Sequence, residues 1–273
     1  MTGMAMALMA AGPSAGAAQG SAILLQIKPR QGDTIRVRLD QTVEIAGVAR
    51  TGEQQPSVME SGTLVMHATL AIEAVDRAGA TVVSVTDSVR LNTPPNSASA
   101  AVLAWAAAAA NRAVRFRIAT DGSAAIPNAR GGAPPVGMVG AQMPATLPRR
   151  PIEPGTSWTS TMRVPLASSV DPKGVATLTA TFTFDSLSRS GELAFLSLRG
   201  RLIKGDDTPG GGKDGSQVET SGTVIGQVLI DRRRGWITDA RTTFSLLSLV
   251  SPADRSKRPM RVRMTISQWM RAM

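Results

Sequence analysis

Residues 175–203, Val175 to Ile203, read VATLTATFTFDSLSRSGELAFLSLRGRLI. In the first arm Ala176, Leu178, Ala180, Phe182 and Phe184 alternate with Thr177, Thr179, Thr181 and Thr183. A period of two places successive side chains on opposite faces of a strand, so this arm predicts a half-buried β-strand. Ser188-Arg189-Ser190-Gly191 supplies a turn. Ala194, Leu196, Leu198 and Leu202 then resume the alternation against Ser197, Arg199 and Arg201. The stretch is a long hairpin with one apolar face and one wet face. It specifies an architecture and no chemistry.

The same pattern occurs earlier. Ala68 to Gly79, ATLAIEAVDRAG, aligns with Ala180 to Gly191, ATFTFDSLSRSG, 112 residues further on. Ala68, Thr69, Arg77 and Gly79 are identical in the later copy, and Leu70, Ile72, Glu73 and Val75 keep their character. Ile126 to Arg130, IPNAR, matches Ile237 to Arg241, ITDAR. Gly32-Asp33-Thr34-Ile35 corresponds more weakly to Gly155-Thr156-Ser157-Trp158. The first two matches, offset by 112 and 111 residues, point to a duplicated unit.

The predicted fold is therefore mainly β: two tandem antiparallel β-meander repeats forming a curved sheet or half-barrel, with one Ala-rich helix. Residues 1–22, apolar and then rich in Ala and Gly, read as a signal peptide or a disordered tail. Residues 23–131 form the first repeat. Its strands are expected at 34–48, 63–76, 81–91 and 114–120, with a polar loop over 51–62. The Ala-rich run near 97–112, capped by Asn96 or Ser97, predicts the helix. Residues 132–154 are a Gly/Pro-rich linker in which Pro148, Pro151 and Pro154 cannot donate to a sheet ladder. Residues 155–273 form the second repeat, whose strands continue through 220–231, 236–250 and 261–270. No run of residues reaches the ~18–20 apolar positions of a membrane span.

Chemistry is sparse. With no cysteine and one histidine, disulfides, thiolate sites and His-rich metal sites are excluded. His67 falls on the face opposite Leu64, Met66 and Leu70, and no G-x-S-x-G elbow surrounds any serine. GDDTPGGGKDGS at 205–216 lacks the residues and the following helix of a phosphate loop. Aromatic residues make up 3% of the chain, with no tyrosine, so stacking platforms for nucleic acid are absent. No catalytic, cofactor-binding or metal-ligating residue stands out, no cofactor is implied, and the chain reads as non-enzymatic. The net charge of +10 lies mostly in the second half, where residues 149–273 carry 19 basic and 11 acidic side chains. That excess fits attraction to an anionic surface, and equally fits solvated strand faces.

One further pattern spans the middle of the chain. Leu147-Pro148-x-x-Pro151-Ile152-x-Pro154-Gly155-x-Ser157-Trp158, the preceding strand ending at Asp121-Gly122, and the Ile230-Asp231-x-x-x-Gly235 hairpin resemble an uncharacterised family of exported bacterial β-rich proteins. The resemblance covers roughly residues 26–270. It implies export, to the periplasm or outside the cell, and a β architecture. At the level of fold the pattern is also similar to the half-barrels of periplasmic lipoprotein carriers.

Two functions follow as expectations. A lipid or other hydrophobic ligand would lie against an apolar face made by Leu64, Met66, Leu70, Ile72, Leu178, Phe182, Phe184, Leu196 and Leu198. Alternatively, a structural or interaction module of the cell envelope would contact an anionic surface or a protein partner through its basic C-terminal half. Its contacts would be Arg232, Arg233, Arg234, Arg258, Arg261 and Arg263. Specific nucleic acid binding and a transmembrane span are not expected.

Overall fold

A computed structural model describes residues 22–48, 57–92, 113–125, 147–165, 175–204, 217–251 and 259–273. Eleven strands make one antiparallel sheet: β1 (Thr34–Val48), β2 (Ser57–Asp76), β3 (Gly79–Asn92), β4 (Ala113–Ala119), β5 (Ala124–Ala125), β6 (Ser157–Pro165), β7 (Val175–Leu187), β8 (Leu193–Lys204), β9 (Gln217–Asp231), β10 (Trp236–Ser251) and β11 (Met260–Ala272). Among the described residues every regular element is a strand. The expected helix near 97–112, residues 1–21, the IPNAR match at 126–130 and the 205–216 loop lie outside them. The alternating segments fold as their period dictates. One boundary is corrected: β2 begins at Ser57, inside the stretch expected as a polar loop. The ladder to β1 extends through Ala46↔Val58 and Gly47↔Ser57 by way of a bulge, so backbone pairing carries the strand past its apolar pattern.

The strand order is β5-β4-β3-β2-β1-β11-β10-β9-β8-β7-β6. The first and last strands, β1 and β11, pair in the middle of the sheet. The free edges fall at β5 and β6, so the sheet is open. All the described turns between strands lie at one end of the sheet, termed here the turn end.

Residues 22–30 close that end. Ile23 and Ile152 exchange two backbone hydrogen bonds of 2.8 Å. Leu25, Ile27 and Ile152 are buried. The amide of Ile27 donates to the Thr120 carbonyl at 2.9 Å, and the next amide, Lys28, donates to the Gly235 carbonyl at 2.8 Å. In a flat sheet those two turns, β4–β5 and β9–β10, would stand roughly six strand spacings or about 29 Å apart. Two adjacent amides reach both, so the sheet is strongly rolled here. The approach is close enough that a Cβ on Gly235 would lie 2.2 Å from the Lys28 carbonyl oxygen. Leu147 adds to the floor, with its amide on the Asp121 carbonyl at 2.6 Å. The linker expected over 132–154 thus ends as a packed segment.

The duplicated stretches share geometry as well as letters. Gly32 and Gly155 have φ of 85° and 88°. The Gly32 amide donates to the Ile72 carbonyl at 2.9 Å, and Gly155 to that of Phe184 at 2.6 Å. In return Ile72 donates to Asp33 and Phe184 to Thr156, each at 2.9 Å. Both hairpins then skip one residue at the aligned acidic position, Glu73 in β2 and Asp185 in β7.

The apolar face of the sheet points inward. Rolling crowds this face, and β8 and β9 relieve the crowding by omitting side chains at Gly200, Gly222 and Gly226. A Cβ on Gly226 would meet the Arg241 carbonyl oxygen at 2.5 Å and Thr242 Cγ2 at 2.9 Å. Gly226→Val should therefore cost about 2 kcal/mol or more in urea unfolding. Thr223→Val, on the exposed outer face of the same strand, should stay within about 0.5 kcal/mol of wild type.

Candidate functional site: the inner face of the rolled sheet

Cross-strand register sets the inner face out in rows. One row runs Leu91, Leu64, Gln41, Gln268, Thr242, Gly226, Leu198, Phe182 and Trp158 across nine strands. Trp158 stacks on Phe182 with ring centroids 5.7 Å apart. The nine apolar residues expected to face a ligand all lie on this inner face and belong to one cluster, each no more than 7% exposed. The two hairpins that contribute them are not sheet neighbours: β1, β11, β10 and β9 stand between β2 and β8. Together with Leu25, Ile27 and Ile152 they form the packed core.

The accessible part of the inner face lies beside that core, on the three strands at the middle of the sheet. Val43, Ile266 and Phe244 make one row and Ile45 and Met264 part of the next, farther from the turn end. All five are only partly buried. At the turn end Ile72, Val82, Phe116, Phe184 and Ile230 are at most 2% exposed. On β1 and β11 the inner face therefore passes from packed at the turn end to partly buried farther along, while Leu246 in the row of Ile45 and Met264, and Leu178 and Leu202 on β7 and β8, stay at most 6% exposed. The alternation in Val43-Glu44-Ile45 and in Met264-Thr265-Ile266 marks these side chains as inward, but only the register of β1 with β11 puts them together.

Between the packed and open parts sits a polar row. Thr242 Oγ1 donates to Gln268 Oε1 at 3.4 Å, and Gln268 Nε2 donates to Gln41 Oε1 at 3.3 Å. The sequence reading passed over these residues because each is a single polar letter in an apolar alternation. Deeper still, Trp236 is 1% exposed and its indole N–H has no hydrogen-bond partner among the described residues.

The basic residues divide. Arg232, Arg233 and Arg234 occupy the β9–β10 turn, where they are held by neighbours. Arg232 Nη1 donates to the Gly191 carbonyl, Arg233 Nη1 pairs with Glu192 Oε1 at 3.0 Å, and Arg234 Nε lies 3.8 Å from Asp231 Oδ2. Arg261 and Arg263 are exposed near the start of β11, opposite Leu249 and Leu247 of β10. From Gly235 to Leu247 the strand runs roughly 40 Å. The structure does not bring the two groups together, and Arg258 lies outside the described residues.

A charged cluster that the sequence did not disclose covers the outer face of β1, β11 and β10. The Arg241 and Arg271 guanidinium carbons lie 4.3 and 3.7 Å from the Trp269 ring centroid, and Trp269 Nε1 donates to Asp239 Oδ2 at 2.8 Å. Asp40 accepts from Arg38 at 2.7 Å and from Arg271 at 3.1 Å. Burial pushes the Asp40 carboxyl up, but the hydrogen bonds from Arg38 and Arg271 outweigh it and hold it below the usual carboxylate range. His67 is partly buried on the outer face, with Nδ1 3.1 Å from Ser88 Oγ. Among the described residues no group of three His, Cys, Asp or Glu side chains is placed to hold a metal ion. No helix among them is long and apolar enough to cross a membrane. The chain matches no protein-family model, and no curated protein matches it significantly.

Two outcomes test these environments. Trp236→Phe deletes a buried donor that has no acceptor among the described residues, offsetting part of the lost volume, so it should cost about 1 kcal/mol or less. Trp236→Ala should cost about 3–5 kcal/mol in the same denaturant titration. Asp40→Asn should lower stability by about 1 kcal/mol at pH 7, a modest figure because the pair is partly solvated. A depressed folded-state pKa contributes stability above the unfolded value and loses it as pH falls through the folded one. The gap between wild type and Asp40→Asn should therefore close as the pH is lowered below about 4.

Proposed function

We propose that this protein is a non-enzymatic component of the cell envelope, periplasmic or secreted. In this reading the rolled sheet is a half-barrel of two β-repeats, and its inner face holds a lipid or other hydrophobic ligand. The observation that carries the proposal is the partial exposure of Val43, Ile45, Phe244, Met264 and Ile266 on the face that is otherwise core. Apolar surface left open to water on an inward-facing sheet forgoes about 25 cal/mol per Å², and an apolar ligand recovers it. The turn end is filled by residues 22–30, so entry is from the opposite end. The shared hydrogen bonds at Gly32 and Gly155 support the two-repeat reading.

A second reading, a structural or interaction module on an anionic surface or protein partner, draws support from Arg261 and Arg263. They are exposed and form no ion pair among the described residues. Arg232–Arg234 contribute less to it, since Arg232 and Arg233 already tie to the β7–β8 turn and Arg234 pairs with Asp231.

A fluorescent naphthylamine probe should bind wild-type protein with enhanced emission, and Met264→Asp should weaken its binding at least ~10-fold by placing a charge on the inner face. Gently purified protein should also carry lipid adducts in native mass spectrometry. No probe binding and no adducts, with salt-sensitive vesicle binding that is lost in Arg261→Glu/Arg263→Glu, would replace this reading with the second.

A further inference from the structure

The polar row on the inner face indicates what kind of hydrophobic ligand fits. Gln41 and Gln268 are direct cross-strand partners, as are Gln268 and Thr242, so three polar side chains stand side by side on β1, β11 and β10. Their neighbours along the same face are apolar: Leu39 and Val43 on β1, Ile266 and Met270 on β11. Gln41 and Gln268 are partly buried and Thr242 is 9% exposed, so the row borders the open part of the face rather than lying sealed beneath it.

Hydrogen bonding within the row has a direction. Thr242 gives its proton to Gln268, and Gln268 gives one of its two amide protons to the Gln41 carbonyl. The relay ends at the Gln41 amide, whose two N–H donors find no acceptor among the described residues. Two N–H donors on Gln41 and the second N–H on Gln268 are thus left to donate to a ligand oxygen. No side chain described on the inner face of these strands carries a charge. An ionised group brought to this depth would lose its hydration without a counter-ion, which disfavours it strongly.

We propose that the inner face binds an uncharged, oxygen-bearing amphiphile, such as a long-chain alcohol or ester, with its oxygen accepting from Gln41 and Gln268. The chain of the ligand then lies along Val43, Ile45, Met264 and Ile266, toward the open end. This rests on the hydrophobic-ligand reading above and narrows it to neutral hydrogen-bond acceptors.

The test is displacement of the naphthylamine probe by decanol, decane and decanoate at pH 8. Wild-type protein should prefer decanol to decane by about tenfold, the factor carried by one net hydrogen bond of ~1.4 kcal/mol. Decanoate should bind at least ~10-fold more weakly than decanol. Gln268→Leu and, separately, Gln41→Leu should keep decane binding and shrink the decanol margin to within about twofold. Thermal melts of both variants check that the sheet is intact. Equal affinity of the wild type for decanol and decane, tighter binding of decanoate, or an undiminished decanol margin in both variants would overturn the inference and leave the hydrophobic-ligand reading standing. Failure of the probe and of all three compounds to bind would overturn that reading, and this inference with it.

Discussion

Two adjacent backbone amides, those of Ile27 and Lys28, set the shape of this molecule. By donating to Thr120 and Gly235 they draw together turns that lie about six strands apart in the sheet order. A backbone donor buried without an acceptor costs about 1–3 kcal/mol, so both bonds favour the rolled arrangement. Once the sheet is rolled, the apolar sides of β2, β4, β7, β8 and β9 share one core with Leu25, Ile27 and Ile152. The glycines of β8 and β9 follow from the same constraint. Side chains at Gly200, Gly222 and Gly226 would strike neighbouring backbone or side-chain atoms.

Among the described residues this closure is seen at the turn end. The turn end carries short, hydrogen-bonded turns and a packed floor. Arg232 and Arg233 bind the β9–β10 turn to its β7–β8 neighbour, and Arg234 pairs with Asp231 inside its own turn. Farther along β1 and β11 the same face is only partly buried, although Phe244, Met264 and Ile266 still pack against the edge of the core. Aliphatic residues on β1 and β11 meet solvent there, and three uncharged polar side chains mark the transition. On β1, β10 and β11 that face combines apolar area with free amide donors and no described charge, so it selects by polarity as well as by hydrophobicity.

Much of the fold was legible because a strand with one buried face has to alternate. Thr177 to Phe184 admits one register of faces, and the hairpins around Gly79 and Gly191 lie where the alternation and turn residues put them. The match between Ala68–Gly79 and Ala180–Gly191 extended to a bulge at Glu73 and Asp185, since equivalent sequences meet equivalent backbone demands. Other features were not legible for definite reasons. The first residues of β2, Ser57 to Gly62, do not alternate between apolar and polar, and they are strand because β1 offers them a ladder. Gln41, Gln268 and Thr242 are separated by up to 227 positions, and no local pattern links them. The accessible apolar face was looked for in the residues with the strongest alternation. Those residues are the most completely packed, because the strongest alternation marks the deepest core.

The sequence by itself determined the strand class, the inward and outward assignment of side chains, the repeated hairpin and the absence of thiol and His-rich chemistry, all consequences of local periodicity or composition. The tertiary structure decided which strands are neighbours, that the first and last strands, β1 and β11, pair with each other, and that residues 22–30 close the turn end. It also decided which inward residues are sealed and which stay open. These depend on long-range backbone hydrogen bonds, and the donors and acceptors of the main chain are the same for nearly every residue. Pairing of that kind leaves almost no trace in the identity of the side chains.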